Sequence, residues 1–242
     1  MKLFDKFEII KPYPALWLEE SKTVVIADLH LGLETLLASK GVYFPKVQWE
    51  EMKEDLQVIF EQYPAQQVII NGDIKHDFAK SSRKERKEVK KLLNFLSLQV
   101  NKIKLIKGNH DNYLIYSVKE FENASLEEKV CLNNTCFIHG DEEQLKVEQD
   151  YVIAGHEHPA LVLTDELGVE EKVRCFLYGK YQGKKVIVMP AFSKLAEGSQ
   201  VNEIPKHELL SPWLQEEGVG NLKAVGVSEE AGLLEFPKIK KL

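Results

Sequence analysis

The sequence predicts an α/β (α+β) protein in which two β-sheets pack together with helices outside them. Three observations predict it. The short apolar runs "TVVIADLH", "QVIINGD" and "IKLIKGNHD" each end in polar residues, and a charged, helix-patterned stretch follows each of them. After about residue 130 the pattern changes to strand-like runs joined by short turns: "TCFIHGD", "YVIAGHEH", "RCFLYGKY" and "KKVIVMPAF". No linker rich in proline, glycine or serine divides the halves and no repeat is present, so residues 1–242 read as one domain.

Between the first two runs, "VQWEEMKEDLQVIFEQY" sets Val47, Met52, Leu56, Ile59, Phe60 and Tyr63 near helical spacing, with acids and lysines opposite. That pattern predicts an amphipathic helix with one buried face. "RKERKEVKKLLNFLSLQ" repeats the plan with Val89, Leu92, Leu93 and Leu96, and a basic cluster runs from Lys80 to Lys91. Such a cluster is ordinarily a solvated helix face, with a nucleic-acid backbone as the alternative partner. Strand, helix, strand predicts a partly parallel sheet covered by helices. The second half reads as antiparallel, with a hairpin at "YGKYQGKKV" and a further strand pair in "VGVSEEAGLLEF".

Composition excludes several classes. The 242 residues are 44% apolar and 29% charged, enough for a sizeable core and typical of a soluble globular protein. "MKLFDKFEII" has no apolar signal region and no later run approaches the twenty or so residues of a bilayer span, so a cytoplasmic location and no membrane partner are expected. A net charge of −6 argues against non-specific coating of nucleic acid. Cys131, Cys136 and Cys175 are odd in number and lack the spacing of a zinc knuckle, which predicts buried, reduced thiols; a Cys131–Cys136 disulfide is the alternative.

The polar residues at the run ends form a set: Asp28 and His30, Asp73, Asn109 and His110, His139, then His156 and His158. Sheets with helical crossovers gather such residues along one edge, beyond the carboxyl ends of the strands. Carboxylate, imidazole and amide oxygen, with no cysteine, suit hard or borderline divalent metals. One ion with an open position needs only about three or four protein ligands, so this set points to two ions. Paired ions want a shared carboxylate, and Asp73 is the natural bridge. Asp28 with His30, and His156 with His158, are two apart and share a face, each pair a local clamp. Taken singly, these residues have plain explanations: Asp28 as a helix cap, Gly72–Asp73 and Gly108–Asn109 as turn pairs. Jointly those explanations fail, because six of the seven histidines lie in or beside the motifs and only His207 stands apart.

In "GNHD" three polar neighbours leave an extended run, and alternation prevents all of them from serving one point. The triplet must divide its labour. In order along the chain, DxH, GDxxH, GNHD, a lone His before glycine and GHxH resemble the calcineurin-like metallophosphoesterase superfamily, over roughly residues 24 to 160. "ADLHLG", "GDIKH" and "GHEHP" are most similar to small SbcD-related phosphoesterases, and "MPAFSKLAEGSQVN" is similar to that group as well.

The resemblance implies a four-layer sandwich of two mixed β-sheets flanked by helices. It implies that Asp28, His30, Asp73 and His158 hold one ion while Asp73, Asn109, His139 and His156 hold the other. Two divalent ions are expected, manganese first, with zinc, iron, nickel or magnesium as alternatives. His110 is then no ligand but faces the scissile phosphate, with Asp111 orienting its ring. His76 matches a second histidine that SbcD-type nucleases keep near the phosphate, which favours a diester; its plain reading is a residue before a helix capped by Asp77. Glu157 is expected to point away from the metals. Asp141 departs from the family, where many relatives have another histidine.

These readings lead to a two-metal-dependent phosphodiesterase, a nuclease, in which metal-activated hydroxide attacks phosphorus and His110 is the general acid. The rival is a phosphohydrolase for a small molecule, such as a cyclic nucleotide, a nucleotide anhydride or a phosphomonoester. A non-catalytic scaffold ranks last, because every ligand position is filled. The expected partner is a phosphodiester, DNA or RNA. A homodimer is left open, and no convincing helix is present for docking an SbcC-type ATPase.

Overall fold

The computed structural model describes residues 1–42, 47–77 and 83–242. The first sheet runs in strict chain order through β1 (Lys2–Leu3), β2 (Phe7–Ile9), β3 (Leu16–Leu18), β4 (Thr23–Ile26), β5 (Gln67–Asn71), β6 (Lys102–Ile106) and β7 (Ala124–Glu127). β1 to β4 form an antiparallel meander, and β4 to β7 are parallel. The connections hold α1 (Leu33–Ser39), α2 (Gln48–Gln62), α3 (Arg83–Gln99) and α4 (Ile115–Val118). Crossovers of one hand between strands that advance in one direction leave every helix on the same face.

Strand alternation then builds separate cores. Val24, Ile26, Val68, Ile70, Ile103 and Leu105 face the helices and meet Met52, Leu56 and Ile59 of α2 and Leu92, Leu93 and Leu96 of α3. Their neighbours Val25, Ile69 and Ile106 face the other way and pack on Phe137, Ile153, Phe176 and Ile187 of the second sheet. Each such side chain, fully buried, contributes about 1.5–3 kcal/mol, so a slip of one residue in any central strand would exchange the two cores' contacts.

The second sheet contains β8 (Lys129–Leu132), β9 (Thr135–Ile138), β10 (Tyr151–Ala154), β11 (Pro159–Thr164), β12 (Glu170–Tyr181), β13 (Lys184–Val188), β14 (Ser199–Gln200), β15 (Lys223–Ser228) and β16 (Gly232–Lys238). It is mixed, as the family resemblance implies, and this corrects the antiparallel reading of this half from its residue pattern. β10 lies between β9 and β13 and is parallel to both. The connection over 139–150 permits this, since a parallel crossover takes about a dozen residues. Parallel pairing brings the carboxyl ends of β9 and β10 to one edge. The outer face of this sheet, with Cys136, Ile138, Val152 and Ala154, is covered by Leu209, Trp213, Leu214 and Leu222. That cover includes a short helix, α5 (Pro212–Gln215).

The cysteine expectation needs correcting. Cys131 and Cys136 sit directly opposite each other on the β8–β9 hairpin, with Cα atoms 4.1 Å apart, and are joined as a disulfide. Hairpin register decides this, and spacing alone could not. Cys175 is buried and free, with its thiol pushed up by desolvation. In the basic cluster Lys90 and Lys91 form surface ion pairs with Glu120 and Glu50, while Arg86 and Lys87 are exposed. Lys80 lies outside the described residues. Among the described residues no helix is long and apolar enough to cross a membrane.

Candidate metal centre

Each motif residue follows a strand on one shared edge. Asp28 and His30 follow β4, Asp73 follows β5, Asn109 and His110 follow β6, His139 directly follows β9, and His156 and His158 follow β10. The chain turns sharply at each exit. Asp28, His30, Asp73, His156 and His158 all have left-handed backbones, with φ between 41° and 66°. Such conformations cost about 1–3 kcal/mol each and persist where surrounding contacts enforce them. Here the motif loops lock one another: Asp28 N–H donates to Gly72 O, His30 N–H to Asp73 O, and Gly155 N–H to His139 O. Two glycines allow the approach. A Cβ on Gly72 would lie 1.9 Å from His139 Nδ1, and one on Gly108 would lie 2.1 Å from Asp73 Oδ1.

The side chains converge in two groups that share Asp73. In one, ligand atoms of Asp28, His30, Asp73 and His158 lie within 4.8 Å of each other; in the other, those of Asp73, His139 and His156 do. The Asp73 oxygens divide between them. Oδ2 is 3.8 Å from His30 Nε2 and 3.7 Å from His110 Nε2, while Oδ1 is 3.5 Å from His139 Nε2 and accepts the His110 N–H at 3.0 Å. Asp28 reaches across both groups, its Oδ1 3.5 Å from His158 Nε2 and 3.7 Å from His139 Nδ1. The Asn109 amide faces His139 Nε2 at 3.1 Å, beside the second group. Turned with its nitrogen inward, that amide donates to His139 Nε2 and to both Asp73 oxygens.

The electrostatics identify what these groups are suited to hold. Burial, together with the charges of Asp28 and Asp111, pushes the Asp73 carboxyl up to about 9. Burial also pushes His30 down to about 2 and His139 down to about 4, so both imidazoles are neutral and have lone pairs to offer. For Asp28 burial acts upward, but the charge of His158, with those of His139 and His30, outweighs it and lowers the carboxyl. His158 is raised by the same contact against its own desolvation. Asp28 Oδ1 and His139 Nδ1 are buried with no hydrogen-bond partner among the described residues. Orphaned buried atoms of this kind are costly unless a ligand completes them. Neutral imidazoles, carboxylates and one amide around such atoms fit divalent cations.

A third group adjoins the first. His30, His76 and His110 lie with ring centroids 5.1–5.2 Å apart, and His76 stacks on His110. The His110 ring is oriented by the His76 carbonyl, to which Nδ1 donates. This corrects the expectation for Asp111, whose carboxylate instead accepts the backbone N–H groups of Gly108, Ile74 and Lys75. Asp111 is 1% exposed, and those three unpaired amides need it more than an imidazole does. The helix that Asp77 is expected to cap falls on residues 78–82, outside the described residues; the Asp77 N–H donates to Glu85 on α3. Glu157 turns away from the centre and accepts from the Leu210 and Ser211 N–H groups. Asp141 is exposed, and His207 is exposed beside Glu208.

Residues outside the motif readings also hold the site. Gln48, at the start of α2, donates to the carbonyls of Leu29 and His30 and to Ser193 Oγ. Lys75, wholly buried, donates from Nζ to the carbonyls of Asp77 and His110. An exposed-looking lysine inside "GDIKH" gives no sign of this in the sequence. Over the centre opens a cleft of about 720 Å³. Its floor includes His30, His76, His110 and His158, and Leu33, Leu37 and Leu195 form apolar walls.

Two stacked sheets with an imidazole and carboxylate cluster at their shared strand ends define a protein built to hold divalent metal. The chain belongs to the calcineurin-like phosphoesterase family, whose model matches residues 21–156, a span with every motif residue except His158. It is therefore a metal-dependent phosphoesterase, and the family implies divalent metal ions. No curated protein matches the chain in sequence. Among solved structures it is similar to the nuclease MPE of Pseudomonas putida, at 18% identity and a TM-score of 0.68, with 98% of each chain covered. It is also matched, at 16% identity and a TM-score of 0.41, by Yfce, a phosphoesterase from E. coli, covering 73% of this chain and 83% of that one.

Proposed function

We propose that the protein is a two-metal phosphodiesterase acting on nucleic acid, folded as one domain over residues 1–242. The observation that supports it is the pair of ligand groups sharing Asp73, with His110 and His76 beside them on the cleft floor. Asp28, His30, Asp73 and His158 would hold one ion, and Asp73, Asn109, His139 and His156 the other, manganese being the first metal to try. Bound there, such ions supply a water of lowered pKa and neutralise the charge on phosphorus oxygens.

The chain's own residues do the rest. His110 donates from Nδ1 to the His76 carbonyl, so Nε2 is the atom turned toward a reacting group. Without metal, burial first, then the nearby charges of His76 and Lys75, hold this ring down to about 4 against the upward pull of its bond to the His76 carbonyl. An anionic phosphate beside it favours protonation, and the proton passes from Nε2 to the leaving oxygen. His76, stacked on that ring, lies where it can contact the same phosphate. Support for a single domain comes from the core between the sheets, which takes residues from both halves of the chain. Support for nucleic acid comes from the "GDIKH" resemblance to SbcD-type nucleases, and the name of the Pseudomonas putida nuclease makes a polymer the first substrate to try.

The test uses metal-free protein reloaded with manganese and assayed on a chromogenic diester, the matching monoester, and single- and double-stranded DNA. Diester and DNA cleavage abolished in His110→Ala, with metal content unchanged, is the expected result. Monoester activity alone would remove the nuclease reading, and failure to bind any divalent ion would remove the whole proposal.

A further inference from the structure

We propose that Lys75 is a positioning residue for His110, acting through a buried ammonium that ties the "GDIKH" and "GNHD" loops together. The residue is 0% exposed, and among the described residues no carboxylate forms an ion pair with its Nζ. A buried cation is costly without strong acceptors. Its acceptors are two main-chain carbonyls, those of Asp77 and His110.

The placement of those carbonyls gives the cation a purpose. His110 is gripped three times by the "GDIKH" loop: its N–H donates to Asp73 Oδ1, its ring Nδ1 donates to the His76 carbonyl, and its own carbonyl accepts from Lys75 Nζ. The second Lys75 acceptor, on Asp77, is the carbonyl that follows the one holding the ring. One ammonium thus fixes both the backbone that bears the imidazole and the loop that orients it. The Lys75 N–H donates to Asp111, at the other end of the same turn. Main-chain bonds anchor the loop in turn, from Leu31 N–H to Ile74 O and from His76 N–H to Leu31 O. A methionine at position 75 would fill similar space and leave both carbonyls without this donor.

This inference rests on the reading of His110 as the group that protonates the leaving oxygen. The experiment compares Lys75→Met, His110→Ala and unaltered protein, each loaded with manganese, on two aryl phosphodiesters whose leaving phenols differ in acidity. A general acid matters more for the poorer leaving group. Lys75→Met is expected to lower kcat by about tenfold to hundredfold on the poor leaving group and less on the good one, with KM and metal content unchanged. In a His110→Ala background the same change should cost nothing further in kcat.

Equal losses on both substrates, or an added loss in the His110→Ala background, would overturn the role for Lys75. An absence of leaving-group dependence in His110→Ala itself would overturn the reading of His110 instead. Should Lys75→Met not fold, Lys75→Gln, which keeps a donor for one carbonyl, gives the same comparison. Recovery of kcat on the poor leaving group by Lys75→Arg would support positioning by a cationic donor.

Discussion

Asp73→Asn should act in opposite directions on stability and on activity. In the metal-free protein the Asp73 carboxyl is 1% exposed and pushed from 3.8 up to about 9 by burial and by the charges of Asp28 and Asp111. A carboxyl with a raised folded pKa binds more protons folded than unfolded, so stability falls as pH rises from the lower value to the higher. At neutral pH roughly three units of that interval have been traversed, which at about 1.4 kcal/mol per unit puts the cost at about 2–4 kcal/mol. An amide at this position has no charge to desolvate, can accept the His110 N–H, and can donate to a neutral imidazole.

Urea unfolding at neutral pH, with chelator present, should therefore find the metal-free variant more stable by about 2–4 kcal/mol. Its stability should also vary less between about pH 4 and pH 9. On the two-ion proposal, the variant reloaded with manganese should bind one ion per chain in place of the proposed two, because an amide offers oxygen to only one side. Turnover should fall on the order of a thousandfold. A metal-free variant less stable than its parent, or a variant with two ions and normal turnover, would refute the reasoning.

Three further outcomes are expected. Gly108→Ala should lose metal and at least about a hundredfold of activity, because the new Cβ would lie 2.1 Å from Asp73 Oδ1 and 2.4 Å from the Asp73 backbone N, and backbone cannot step aside; elemental analysis and turnover check it. Metal uptake should release protons, since Asp73 is protonated below about 9 when metal-free; calorimetry in buffers of different ionisation enthalpy should find affinity rising from neutral pH toward that value. Cys131→Ser should lower stability by about 2 kcal/mol, the chain-entropy value for so short a loop, and a reductant should destabilise the parent but not the variant; equal responses to reductant would refute the cross-link.

Much of the fold was legible because its signals are local. Val24 and Ile26, then Val68 and Ile70, announce strands whose alternate residues face helices, and Leu92, Leu93 and Leu96 announce the helical stripe that meets them. The hidden features depend on pairing between distant segments. Antiparallel and parallel strands have similar sequences, so the direction of β10 beside β9 was misread, although it brings His139 and His156 to within 4.7 Å between ring centroids. The register that sets Cys131 against Cys136 was likewise invisible in the spacing.

The sequence alone determined the chemical inventory at the strand ends: Asp28, His30, Asp73, Asn109, His110, His139, His156 and His158, each beside a turn signal that a short window can show. Tertiary structure decided who serves whom. Asp111 was read as the partner of His110, but it satisfies the amides of Gly108, Ile74 and Lys75, and the ring turns to the His76 carbonyl. Lys75 carries no signal in the sequence, yet it is wholly buried and its Nζ reaches a carbonyl in each loop. The physical reason is common to both cases. A buried polar group must find partners within hydrogen-bond reach, and which backbone groups stand within reach is fixed only when the loops pack together.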